Sequence, residues 1–233
     1  MESGSGRRAR WRRWAGPAAL AMVALLALPF ALYAARFGAS GLATDLAGTT
    51  YLHTPGDWRP NLGIFLHMLS GAAITVLAPL QLVPAVRRRW PGVHRASGYA
   101  LAALALLTAL GGLLFIALRG TIGGPPMDLA FAAYGALLLL AACEAPRHAR
   151  HRDWARHRRW ALRLAVLALG SWLYRLHYAL WYAATGGLAS EPDFSGAFDQ
   201  VALWAFFLPY LLALEGWLRR EERRGGLARP EGA

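Results

Sequence analysis

The sequence contains no lysine, so all 25 of its basic side chains other than histidine are arginine, set against only 13 acidic residues. It contains one cysteine, Cys143. That excludes a disulfide framework, a zinc knuckle and covalent attachment of a c-type haem. No glycine-rich phosphate loop, His-Glu-x-x-His or Gly-x-Ser-x-Gly motif occurs, which removes the signatures of nucleotide-driven pumps, zinc peptidases and serine hydrolases. Charge is sparse overall, at 16% of residues against 56% hydrophobic ones.

What is abundant is long apolar sequence. A membrane helix needs about 20 mainly apolar residues, because the hydrocarbon core is about 30 Å thick and a helix rises about 1.5 Å per residue. Six stretches qualify, at about 15–37, 61–84, 94–118, 127–145, 158–184 and 198–218. The expected fold is therefore an all-α, polytopic membrane helix bundle of about six transmembrane helices. A basic segment, 1–14, precedes the transmembrane domain 15–218, and a charged tail, 219–233, follows it. The apolar run after Arg13 is longer than the core of a secretion signal, so it is expected to be a retained first helix.

The arginines fall in alternate connections. Arg7 to Arg13, Arg87 to Arg95, Arg147 to Arg163 and Arg219 to Arg229 form four clusters, while the other connections carry Arg36, Arg59 and Arg119. By the positive-inside rule both termini are expected in the cytoplasm, which places the protein in the cell inner membrane. The clusters sit at helix ends, where anionic lipid head groups are the natural partner, and this leaves no nucleic-acid role. The expected partners are the bilayer itself, those head groups, and a redox or other membrane protein.

Ionisable groups within a bilayer usually face the bundle interior and mark function. His67, Arg175 and His177 fall at such depths. His67 lies about 9 Å and His177 about 10 Å below the outer ends of their helices. Gly63 and Gly71 flank His67, and Gly170 lies two turns below His177, which would expose backbone beside both rings. A flat ligand between two imidazoles needs such clearance, so the pair could hold haem b. Alternatively the glycines allow close helix packing and each histidine makes an interhelical hydrogen bond. Both readings stay open. Arg175 could pair with a haem propionate, a quinone, a lipid phosphate, Asp199 or Glu191, or snorkel toward the aromatic residues around it.

His94 and His157 stand at the inner starts of their helices, where they could be inner-side haem ligands or could close the two basic turns. His148 and His151 have a metal-like spacing, but the arginines around them would repel a divalent cation, and no metal site is expected. His53, in the long exterior connection 38–60, is expected to be solvated. A faint repeat relates VHRASGYALAALALL around His94 to RHRRWALRLAVLALG around His157, as though two hairpins shared one plan.

The order His67, Gly71, Pro79-Leu80-Gln81, Arg87 to Trp90, His94-Arg95, Gly98-Tyr99, Ala155 to Trp160 and Arg175 resembles the DUF2306 family of bacterial multi-pass membrane proteins of unknown function. That resemblance covers roughly residues 62–184. The stretch with His67, Gly71, Gln81, Arg88, His94 and Gly98 is also similar to one hairpin of cytochrome b561-type proteins, whose histidines bind haem. That similarity implies His177 as partner for His67 and His157 for His94. Helix one contains no histidine, whereas cytochrome b561-type proteins draw the partner histidines from the preceding helices. Three functions follow as hypotheses: a small b-type haem or quinone-interacting electron-transfer protein, a non-enzymatic protein binding lipid or a protein partner, and a transporter.

Overall fold

The structure, a computed structural model, describes the backbone of residues 4–227 and the side chains of residues 16 and 18–224. Among these residues every regular element is an α-helix. Five helical stretches are long and apolar enough to cross a membrane: Ala18–Ala43, Trp58–Leu82, Pro91–Arg119, Gly124–Arg150 and Ala197–Arg224. The chain divides into two compact units, one ending at Arg119 and the other beginning at Gly120.

The first unit comprises α1 (Gly4–Ala43), α2 (Trp58–Leu82), α3 (Pro84–Arg89) and α4 (Pro91–Arg119). Helix α2 packs against both α1 and α4. It starts at Asp57, whose carboxylate accepts the Arg59 amide, a typical N-cap. It ends at Val83, held extended because Pro84 disfavours helical backbone at the residue before it. Pro84 and Pro91 then open α3 and α4, where a missing N–H costs nothing.

Glycine sets how closely these helices approach. A Cβ on Gly38 of α1 would lie 2.9 Å from the Phe65 carbonyl, and one on Gly41 would enter the Phe65 ring. On the opposite side of α2, a Cβ on Gly63 would lie 2.9 Å from the Gly111 carbonyl. Such small-residue seams let backbones pack where lipid supplies no hydrophobic drive between helices. Ala31, Ala34, Phe65, Met68 and Ala72 fill the seam between α1 and α2.

Because α1 continues to Ala43, the connection between α1 and α2 is shorter than the expected 38–60. It is folded down. The Asn61 carboxamide accepts from the Thr54 amide at 2.7 Å and donates to the Thr54 carbonyl at 2.9 Å. Arg119 donates to the His53 carbonyl at 2.9 Å and lies over the Tyr51 ring.

The second unit comprises α5 (Gly124–Arg150), α6 (Trp154–Ala168), α7 (Gly170–Thr185), α8 (Ala197–Ala205) and α9 (Leu208–Leu227). Helix α5 runs through Pro146 to Arg150, five residues past the expected end before that proline. The stretch expected as a single helix over 158–184 is divided at Leu169. Helix α9 carries the expected charged tail as helix as far as Leu227, and the residues after it lie outside the described ones.

Arg158 and Arg159, early in α6, pair with Glu221 and Glu222, late in α9. Arg163, further along α6, forms a two-pronged bond to Glu215, earlier in α9, at 2.6 and 3.0 Å. At the other end Tyr178 of α7 bonds Asp199 of α8. The α6–α7 pair therefore runs antiparallel to α8–α9 along their length. Tyr134, Phe206 and Phe207 form the aromatic centre of this unit.

Candidate ligand groove and its histidines

His67 points from α2 into α4. Its Nδ1 lies 2.7 Å from the Thr108 carbonyl, which only accepts, so Nδ1 carries the proton and Nε2 is the basic nitrogen of the neutral ring. A Cβ on Gly112 would lie 2.8 Å from Nδ1, so this glycine makes room for the imidazole itself. The hydroxyls of Ser70 and Thr108, both buried, meet at 2.8 Å one turn away.

The second hairpin repeats this arrangement with different chemistry. The Tyr134 hydroxyl donates to the Leu167 carbonyl at 2.5 Å, and a Cβ on Gly170 would lie 2.7 Å from the Tyr134 ring. Here the inserted side chain lies beside the break at Leu169, whose amide bonds the same Leu167 carbonyl, and inserted side chains are a known setting for helix kinks.

His94 and His157 close the two basic turns. His157 Nδ1 donates to the Ala145 carbonyl at 2.8 Å. Gln81, with its oxygen 2.6 Å from Ser97 Oγ and 3.2 Å from the Gly98 amide, sets its NH2 3.1 Å from His94 Nδ1. With the amide turned the other way its oxygen would face only acceptors, so this orientation is the satisfied one.

His177 stands apart from these clasps. Its Nε2 is 2.8 Å from the Tyr210 hydroxyl of α9, and the two rings lie 5.9 Å apart and 24° from parallel. Beside it a cavity of about 290 Å³ opens between α7 and α8, lined by His177, Trp181, Phe198 and small or aliphatic side chains. Trp181 stacks on Phe198 at 4.6 Å and 5°, while its N–H is taken by the Leu188 carbonyl. Leu180 and Val201, 60% and 65% exposed, form the rim. Arg175, on the same helix, donates to the Ser171 carbonyl one turn back.

A family model described as "Predicted membrane protein (DUF2306)" matches residues 64–217, two thirds of the chain. The chain belongs to the DUF2306 family. The DUF2306 region takes in His67, His94, His157, Arg175, His177 and Tyr210. No curated protein and no solved structure matches the chain.

Within this DUF2306 chain Gly63 and Gly170 do not provide the clearance a haem needs. Gly63 is filled by the α4 backbone and Gly170 by the Tyr134 ring, and His177 Nε2 is engaged with Tyr210. His67 keeps the tautomer that metal-bound histidines adopt, yet the surroundings of the proposed ligands do not fit a macrocycle. The Gln81, His94 and Gly98 residues behind the similarity to cytochrome b561-type proteins are held in the clasp at the α2–α4 turn. Among the described residues no group of three or more His, Cys, Asp or Glu could hold a metal ion, and His148 lies 3.1 Å from Glu144.

Sequence reasoning misplaced three residues. His53 is not solvated: its side chain is 9% exposed, packed on Phe65, with Nε2 beside Asn61 and Asp45 and a buried Nδ1 that finds no acceptor. Asp199, named from sequence only as a possible partner of Arg175, lies in the first turn of α8. It is fully buried, and it accepts from Tyr178, Ser190 and the amides of Glu191 and Gly196 at 2.7 to 3.1 Å. Tyr210, the partner of His177, was not singled out at all. A tyrosine inside the apolar run FFLPYLLAL was the available signal.

Proposed function

We propose that this DUF2306 protein crosses the inner membrane six times, with both termini cytoplasmic, and binds a small lipid-soluble molecule in the groove between α7 and α8. The carrying observation is the cavity beside His177: apolar walls, one imidazole, and a rim exposed where lipid would lie. A few convergent polar groups in a largely apolar concavity are what small-molecule sites share.

The sixth crossing is α6 with α7. Together they make about 46 Å of helix at 1.5 Å per residue, antiparallel to the apolar stretch Ala197–Arg224 and bonded to it at both ends. The arginine clusters then fall on one side, where Arg87, Arg88, Arg89 and the exposed Trp90 suit an interface with anionic head groups.

Native mass spectrometry of protein extracted from its own membranes tests the binding function. Wild-type protein should retain a small lipophilic adduct that Val201→Trp, which fills the groove from its exposed rim, loses. Equal spectra for the two proteins would refute the assignment.

A further inference from the structure

We propose that the molecule taken by the groove is a para-quinone head group; this inference rests on the groove being a ligand site. The walls are flat. Trp181 and Phe198, stacked on each other 5° from parallel, line one side, and the His177 ring, held 24° from parallel to Tyr210 outside the lining, lines another. An acyl chain gains little from such plates, whereas a conjugated ring stacks on them in the offset and edge geometries aromatic faces prefer.

The polar end has the matching chemistry. When the Tyr210 hydroxyl donates to His177 Nε2, the proton of the neutral imidazole resides on Nδ1. The ring then offers one neutral N–H donor, and a quinone carbonyl is a neutral acceptor. Trp181, with its N–H bonded to the Leu188 carbonyl, presents only its face. The remaining lining is Leu180, Phe198, Val201, Ala202 and Ala205, so a charged phosphate head would be desolvated without a counter-ion. The groove is open on one side and its volume of about 290 Å³ leaves room for a single substituted ring, just below the usual range for ligand pockets. The isoprenoid tail would leave over Leu180 and Val201 into the bilayer.

The test uses the full chain in lipid nanodiscs with two photoactivatable probes, an azido-quinone and a diazirine-bearing diacylglycerol. The azido-quinone should label peptides of α7 and α8 saturably, and excess decylubiquinone should compete. His177→Phe should weaken half-saturation by about tenfold, which corresponds to about 1.4 kcal/mol. His177→Gln, which keeps a donor, should recover part of that loss. Val201→Trp, at an exposed position, should block labelling while the protein remains folded. If only the diacylglycerol labels these peptides saturably, the groove is a ligand site and the quinone inference is overturned. If neither probe saturates, both fall.

Discussion

His67 and Thr108 are joined through a backbone carbonyl: Nδ1 of the imidazole sits 2.7 Å from the Thr108 oxygen, with Gly112 opposite the ring. This bond makes His67 a rivet between α2 and α4. Gly112→Ala places a methyl 2.8 Å from Nδ1 and should destabilise the protein by about 1–3 kcal/mol, the usual range for overpacking. His67→Leu should cost about 1 kcal/mol, in line with interhelical hydrogen bonds in membranes. Unfolding titrations in mixed micelles measure both. An unchanged midpoint for Gly112→Ala would contradict the packing described.

A side chain from outside both helices meets the break between α6 and α7. Tyr134→Phe removes the donor to the Leu167 carbonyl and should cost about 1–2 kcal/mol. Amide exchange at residues 169–171 should slow in that variant as the carbonyl returns to the helical ladder. Exchange that is unchanged or faster there would show that Tyr134 does not maintain the break.

Much of the fold was legible because its signals are local. Long apolar runs give the spans, and Pro84 and Pro91 open α3 and α4 near the expected turn. The α6–α7 break was not legible, since the Tyr134 hydroxyl that meets it at the Leu167 carbonyl lies 33 residues earlier in the chain. His177 stood out from sequence as an ionisable group among apolar neighbours. Its partner Tyr210, also 33 residues distant, did not, because tyrosine is ordinary in a membrane helix. Gly63 and Gly170 were visible as gaps in side-chain volume, but only coordinates show that a helix and a phenol fill them. His53 was hidden for a similar reason: its burial depends on Phe65, Asn61 and Arg119 brought to the loop by the fold.

The inner ion pairs between α6 and α9 should differ in strength. Both pairs are doubly bonded, but Arg163 and Glu215 are largely buried whereas Arg158 and Glu221 are about half exposed. Double-mutant cycles should give a coupling of about 1–3 kcal/mol for the first pair and no more than about 0.5 kcal/mol, lost in high salt, for the second. Equal couplings would overturn this ranking.

Acid should loosen the start of α2. The Arg59 side chain, bonded to Asp57, holds the Asp57 carboxyl below its ordinary value. A carboxyl depressed on folding stabilises the fold above its unfolded pKa of about 3.9 and loses that contribution as pH falls through the lower folded value. The protection factor of the Arg59 amide, its exchange rate relative to the intrinsic rate at the same pH, should therefore fall below about pH 4 in wild-type protein. Asp57→Asn should show the same protection factor on both sides of that pH. A pH-dependent protection factor surviving in the variant would assign the effect to another group.

The central claim is the groove beside His177, and the most direct measurement is a density map of the protein in nanodiscs made from its own membranes, with an antibody fragment bound for mass. Non-protein density between the Trp181–Phe198 plate and Val201, reaching hydrogen-bond distance of the His177 ring, is the predicted result. A groove filled by its own side chains, with Val201 packed against His177, would contradict the account.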